Sequence, residues 1–179
     1  MGAIKVHEFM SLDGVVENPA WTADFGFDPK MGETIGGIVG TSSDILLGRK
    51  TYEMFEPAWS VRTAEDDPGA PFFNDTPKHV VSSTLTDLTW RSSTLLGPYD
   101  PGAIRELKDA ATGSIYISGS VTLVRALLAD GLVDELHLFT YPVVLGGGLR
   151  LFGKDGGKLA LIASDTYANG VVHLAYAPA

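Results

Sequence analysis

Residues 113 to 131, GSIYISGSVTLVRALLADG, constrain the fold more than any other stretch, because they specify a strand, a tight turn and a helix in direct succession. Ile115, Tyr116 and Ile117 are β-branched or aromatic and suit a buried strand, while Val121, Val124, Leu127 and Leu128 recur at helical spacing. Ser118-Gly119-Ser120 is then the turn, with Ser120 suited to an N-cap and Gly131 to a left-handed helix end. A helix leaving the carboxyl end of a strand points unpaired N–H groups outward, backed by about half a positive charge. That geometry binds anions, phosphates above all, and a glycine at 119 leaves room for a ligand to approach the backbone. The same residues also suit a plain compact turn, since one glycine between two hydroxyls falls short of a Gly-rich phosphate fingerprint.

A chain of 179 residues supplies one domain with a full core and is short for two. Its 45% hydrophobic and 20% charged content is that of a globular protein, not a disordered one. The net charge of −9 argues against a nucleic-acid surface, which needs a basic face, so an anionic ligand must be met by local cations and backbone amides. With no cysteine, disulfides and thiolate chemistry are excluded. No basic segment precedes an apolar run at the start, and no stretch reaches the roughly 18 apolar residues of a membrane span. The expectation is a soluble cytoplasmic protein without a membrane partner.

In chain order, Ile4 to Met10 alternates as a first strand, and Ser11-Leu12-Asp13-Gly14 leaves the sheet. Val15, Val16 and Trp21 make the following loop apolar, suited either to folding onto the core or to covering a ligand. Pro29 to Thr41 has helical spacing despite its glycines, Asp44 to Gly48 is a buried strand, and Arg49 to Phe55 opens a second helix. Residues 60 to 77, acidic and proline-rich, read as the longest loop. Lys78 to Ser82 and Trp90 to Leu96 read as strands, Pro101 to Ala111 as a helix, and Val133 to Tyr141 as a strand. Lys158 to Tyr167 and Gly170 to Tyr176 close the chain as a hairpin around Ala168-Asn169-Gly170. Parallel crossovers followed by a hairpin predict an α/β fold: a mixed, mostly parallel central sheet, helices on both faces and a C-terminal antiparallel hairpin.

Three strand ends thus carry phosphate-friendly chemistry: Gly48-Arg49-Lys50-Thr51, Ser82-Ser83-Thr84 and Ser118-Gly119-Ser120. In a parallel sheet these ends share one edge, where α/β proteins bind ligands. Cations at a helix start oppose its dipole, so Arg49 and Lys50 point to an anion that compensates, or else to a solvated basic pair.

LLGRKTYEMF, VVSSTL, IYISGSVTLVRALLADGLVDEL and PVVLGGGLRLF, with SLDGVVE near the start, resemble the dihydrofolate reductase superfamily. The likeness is strongest to small bacterial proteins similar to the reductase domain of riboflavin biosynthesis, and it covers essentially the whole chain, residues 1 to 179, as a single domain. It implies NADPH as cofactor and hydride transfer to a small pterin-like or ribosylamino-pyrimidine-like substrate. By motif match, Arg49, Lys50 and Thr51 would meet the 2′-phosphate and nearby phosphates, with Gly48 also a cofactor-binding residue. Ser82, Ser83 and Thr84 would meet the adenosine side, and Ser118, Gly119, Ser120, Val121 and Thr122 the pyrophosphate. Asp13 matches the SLDG aspartate of the riboflavin-type members, and Glu33 falls near the first-helix carboxylate of folate-reducing members; these two are the candidate catalytic groups. Asp13 equally suits a plain turn before Gly14. The resemblance also suggests a homodimer, to which the apolar run Tyr141 to Leu145 could contribute. The alternative is a non-catalytic nucleotide-binding module with the same fold.

GLRLFGKD, 148 to 155, nearly spells a Walker A loop, but Asp155 stands where a Mg²⁺-binding hydroxyl belongs and no helix is predicted after it. Gly146-Gly147-Gly148 suits either a close pass of the chain or a sharp turn. His7, His79, His137 and His173 lie on separate strands without metal spacing, so no metal site is expected.

Overall fold

The computed structural model describes residues 2–153 and 156–179. Its eight strands are β1 (Ile4–Ser11), β2 (Ser42–Gly48), β3 (Lys78–Val81), β4 (Ser93–Gly97), β5 (Ser114–Ser118), β6 (Glu135–Tyr141), β7 (Leu159–Thr166) and β8 (Val172–Pro178). They form one sheet in the order β4-β3-β2-β5-β1-β6-β8-β7. The first six strands in that order are parallel, and β8 and β7 are antiparallel additions. Five helices, α1 (Pro29–Gly40), α2 (Arg49–Trp59), α3 (Ala70–Asp75), α4 (Pro101–Ala110) and α5 (Val121–Ala129), complete the α/β domain.

Alternation along the strands divides the core in two. Ile4, Val6, Leu46, Ile115, Ile117, Leu136 and Leu138 face Ile104 of α4 and Leu123, Val124 and Leu127 of α5. On the other side Ile45, Leu47, Tyr116, Phe139 and Tyr141 meet Met31 and Ile38 of α1, Tyr52 of α2 and Phe73 of α3. Each buried aliphatic side chain contributes about 1.5–3 kcal/mol, so a charge at Val124 would unfasten α5 from the sheet. Helix α1 forms despite its glycines because Asp28 accepts from the Lys30 amide at 2.8 Å, Pro29 pre-sets the first turn, and Met31 and Ile38 anchor one face.

Two expectations need correction. Residues 60 to 77 are not one loop, since Ala70–Asp75 forms α3. Its last turn is held by Lys78, whose ammonium donates to the carbonyls of Phe73, Asn74 and Thr76 at 2.9–3.1 Å and lies 4.6 Å from the Trp90 ring. A cation at a helix C-terminus satisfies carbonyls that the helix leaves open. Nor does a strand begin at Trp90; its indole turns inward to donate to Asn74 Oδ1 at 2.7 Å, and pairing starts at Ser93.

β2 and β5 are neighbours, yet α2 leaves β2 toward one face and α5 leaves β5 toward the other. Diverging helices open a crevice at the carboxyl ends of two adjacent parallel strands, the place where such sheets hold ligands.

Candidate functional site

A cleft of about 550 Å³ occupies that crevice. Gly48 to Thr51 with Met54 and Phe55 form one wall, Ser118 to Leu123 the other, Glu8 and Phe9 of β1 the floor, and Val16 to Pro19 with Leu149 the roof. A second hollow of about 330 Å³ shares Arg49, Val81 and Tyr99 with the cleft and is lined further by Ser82, Ser83 and Thr84. The three strand ends singled out in the sequence therefore meet at one edge of the sheet.

The helix starts explain the character of the cleft. No residue of α1 or α4 lines it, and each of these helices carries an aspartate cap, Asp28 and Asp100, whose carboxylate accepts first-turn amides. α2 and α5 open into it, and neither has a side-chain cap or an acidic residue in its first turn. Two uncapped N-termini converging on one space leave their amide donors and dipoles for an anion.

Ser120 precedes α5 as expected but does not cap it. It sits in the left-handed region at φ 56°, and its hydroxyl instead accepts the Gly48 amide at 3.0 Å. Its own amide donates to Thr51 Oγ1 at 2.8 Å, so the two loops are stitched hydroxyl to amide in both directions. Gly119 is fixed by its φ of 63° and by Thr51, whose Oγ1 would lie 3.2 Å from an added Cβ. The glycine thus answers to Thr51, and the room it leaves is not ligand space. Gly131 is left-handed at φ 65°, as a helix-ending glycine should be.

Arg49 and Lys50 are both exposed on the cleft wall. Arg49 pairs with Glu53 one turn on at 3.0 Å, an exposed bridge worth about 0.5 kcal/mol or less and easily exchanged for a phosphate. Ser82 is buried and spends its hydroxyl on the amides of Thr84 and Leu85 at 3.1 and 3.0 Å, while Ser83 and Thr84 are exposed at the hollow.

Neither candidate catalytic carboxylate lines the cleft. Asp13 accepts from Ser11 Oγ at 2.7 Å, from the amides of Leu145 and Gly146 at 3.1 and 2.9 Å, and from Arg150 at 3.5 Å. These donors, the Ser11 hydroxyl first, hold its pKa down to about 2, so it is a latch between the β1 exit and the glycine run. Glu33 is an exposed residue on α1. The latch is extended by Val16 N donating to Leu149 O and Leu151 N to Gly14 O, both at 3.0 Å. Gly148 has φ 121°, and a Cβ there would fall 2.6 Å from Val15 Cγ1, so this glycine lets the chain pass tightly over the loop. Val15 and Val16 are buried on the core, while Val16 to Pro19 line the cleft. The Walker-like stretch runs into Lys154 and Asp155, which lie outside the described residues, and the next element after it is the strand β7.

Two carboxyl groups do reach the cleft, Glu17 in the roof and Glu8 in the floor, and Glu8 is a residue the sequence reading passed over. It is 2% exposed, and its Oε1 is buried without a hydrogen-bond partner. Burial pushes its pKa well above the ordinary carboxylate range, against a weaker opposing effect of the Gly119 amide. The signal was available: Glu8 shares strand parity with Ile4 and Val6, where an apolar side chain belongs. Among the described residues no helix is long and apolar enough to cross a membrane, and no three acidic or histidine side chains group as metal ligands.

Fold and cleft together define a dihydrofolate reductase-like α/β domain. The model of the RibD C-terminal domain matches residues 3–173, and the chain belongs to that family. It is 27% identical over 176 residues to the uncharacterized protein YyaP of Bacillus subtilis (strain 168), covering 93% of this chain and 90% of that one. A solved structure ascribed to riboflavin biosynthesis in Shewanella sp. PV-4 superposes with a TM-score of 0.79 at 18% identity, covering 98% of both chains. Dihydrofolate reductase from Enterococcus faecalis, solved with NADP(H), superposes with a TM-score of 0.68 at 14% identity, covering 98% of this chain and 96% of its own.

Proposed function

We propose that the protein is an NADPH-dependent reductase of a small heterocycle, pterin-like or ribosylamino-pyrimidine-like. The observation that carries this reading is the pair of uncapped helix starts, α2 and α5, opening into one cleft beside Arg49 and Lys50. The residues present fit the cofactor. First-turn amides of Val121 and Thr122 suit a diphosphate, and a guanidinium with an ammonium suits a phosphate monoester. Ser83 and Thr84 offer hydroxyls in the adjoining hollow for the adenosine side. Gly48, Thr51, Ser82, Gly119 and Ser120 shape these walls through the hydrogen bonds and turns already described, with Ser118 at the strand end.

When bound, the nicotinamide supplies the hydride. The chain's part would be to position the bound rings and keep water away, for which Phe9, Val16, Pro19, Met54 and Phe55 provide apolar walls. The reductase names of related proteins agree with this chemistry: a Thermotoga maritima deaminase/5-amino-6-(5-phosphoribosylamino)uracil reductase superposes with a TM-score of 0.70 at 13% identity over 57% of its length. The test is NADPH oxidation, followed by absorbance, with dihydrofolate and ribosylamino-pyrimidines as acceptors. Turnover supports the reductase, whereas tight binding without turnover across the panel points to a nucleotide-binding module.

A homodimer is part of the same proposal. All of β7, an edge strand, is exposed, including Leu161 at 56% and Ile162 at 51%. An uncovered apolar edge is a ready surface for a second copy. Tyr141 of the run first considered is buried, which leaves Pro142, Val144 and Leu145 as its exposed members.

A further inference from the structure

The floor of the cleft holds a group that none of the roles above uses. Glu8 lies on β1, the fifth strand of the sheet, between β5 and β6, with Leu138 beside it on β6. A side chain of this length, 2% exposed at the bottom of a cleft with an unpartnered oxygen, costs stability unless something else occupies it.

The groups around it do not neutralise it. On β5, Tyr116 turns its hydroxyl to His7 Nδ1 at 2.7 Å, and the Gly119 amide faces Glu8 from the turn beyond. On α5, Arg125 donates to the Leu151 carbonyl at 3.1 Å, and on α2 Arg49 is paired with Glu53 while Lys50 is exposed at the rim. From the roof, Glu17 accepts the Leu149 amide at 3.2 Å, and Tyr99 donates to Asp130 at 2.6 Å. Glu8 therefore has no cation beside it among the described residues, and burial pushes its pKa well above the ordinary carboxylate range, favouring the neutral form. A neutral carboxyl is a donor and an acceptor side by side, and it does not repel phosphates bound near Gly119.

We propose that Glu8 is a ligand-binding residue whose carboxyl forms two hydrogen bonds with a planar amide edge, O=C–N–H, of the molecule in the cleft. Its O–H donates to the ligand's carbonyl oxygen, and its carbonyl accepts the ligand's N–H. The assignment rests on the reductase reading, which supplies two sources of such an edge: the carboxamide of the nicotinamide, and the ring lactam of a pyrimidine or pterin.

The experiment is isothermal titration of the full chain and its Glu8→Leu and Glu8→Gln variants with 2′,5′-ADP, NADP⁺, and then pterin or 5,6-diaminouracil added to the NADP⁺ complex. All three proteins are expected to bind 2′,5′-ADP alike, which also shows that they are folded. Glu8→Leu is expected to lose about tenfold for the ligand that carries the amide edge, and Glu8→Gln, which keeps a donor and an acceptor, less than about threefold. A loss confined to NADP⁺ assigns the edge to the cofactor, and a loss confined to the ring compounds assigns it to the substrate. If the native protein binds 2′,5′-ADP and NADP⁺ but Glu8→Leu matches it for every ligand, the Glu8 assignment is overturned alone. If the native protein binds neither nucleotide, the reductase reading falls and takes the assignment with it.

Discussion

The Ser120 amide donates to Thr51 Oγ1 at 2.8 Å, across 69 residues of sequence, and so ties the start of α5 to the first turn of α2. Replacing Thr51 with valine keeps the shape and removes the acceptor, leaving a buried amide unpaired. Thr51→Val is expected to cost about 1–2 kcal/mol in urea unfolding and to weaken nucleotide binding, while Thr51→Ser retains both.

On the proposed function, Arg49 and Lys50 would meet the phosphate monoester that separates NADPH from NADH. The double variant Arg49→Ala, Lys50→Ala is expected to melt within a few degrees of the native protein without ligand, because the Arg49–Glu53 bridge is exposed. Its stabilisation by NADPH should shrink by at least tenfold in apparent affinity, with NADH little changed. Undiminished NADPH stabilisation would remove the phosphate site.

Acidification should act first through histidine. His7 is fully buried, and desolvation, reinforced by His137 and His173, lowers its pKa from 6.5 to about 3. The unfolded chain therefore binds the proton that the fold refuses, and stability falls as pH drops from about 6.5 toward 3. Chemical denaturation at intervals through this range should show the decline beginning above pH 5, before Asp13, depressed to about 2, starts to protonate.

Glu8 has the opposite sign. Its folded pKa lies above its unfolded value, so the fold binds the proton more tightly and loses stability as pH rises through that window. Glu8→Gln is expected to raise the unfolding midpoint at pH 7 and above, with the gain vanishing below about pH 4.5, where both states of Glu8 are neutral. No gain at pH 8 would mean that the carboxyl is not held neutral.

Asp13→Ala removes the acceptor for the Leu145 and Gly146 amides. Hydrogen exchange is expected to quicken at residues 145 to 151 and at Val16, with β1 to β6 unchanged.

Ile162→Lys together with Leu161→Glu places charges on the edge strand β7. Sedimentation should show a native dimer and a monomeric double variant with an intact circular dichroism spectrum.

Much of this architecture was written locally. Ile115 to Ile117, the Ser118-Gly119-Ser120 turn and the α5 stripe carry their own strand, turn and helix signals, and the parallel order brings their edge beside Gly48 and Ser82 without further information. What escaped depends on partners distant in sequence. Short α3 is stabilised by Lys78 from outside the helix, and the Ser120 hydroxyl goes to Gly48 because two loops meet there. Asp13 is a good turn residue and a good catalytic residue on paper; its bonds to the Leu145 and Gly146 amides, more than 130 residues away, could be read only from the fold. Glu8 broke the apolar pattern of its strand, and that breach was the legible trace of the cleft floor.

The roof of the cleft joins residues 13 to 17 to residues 145 to 151, through Asp13, Gly148 and the Val15–Arg150 bridge. Both helix starts that open into the cleft are in place by residue 129, yet the enclosure waits for a segment made after β6. On the ribosome, the emerging chain thus acquires the uncapped walls of its cleft well before it makes the segment that roofs them.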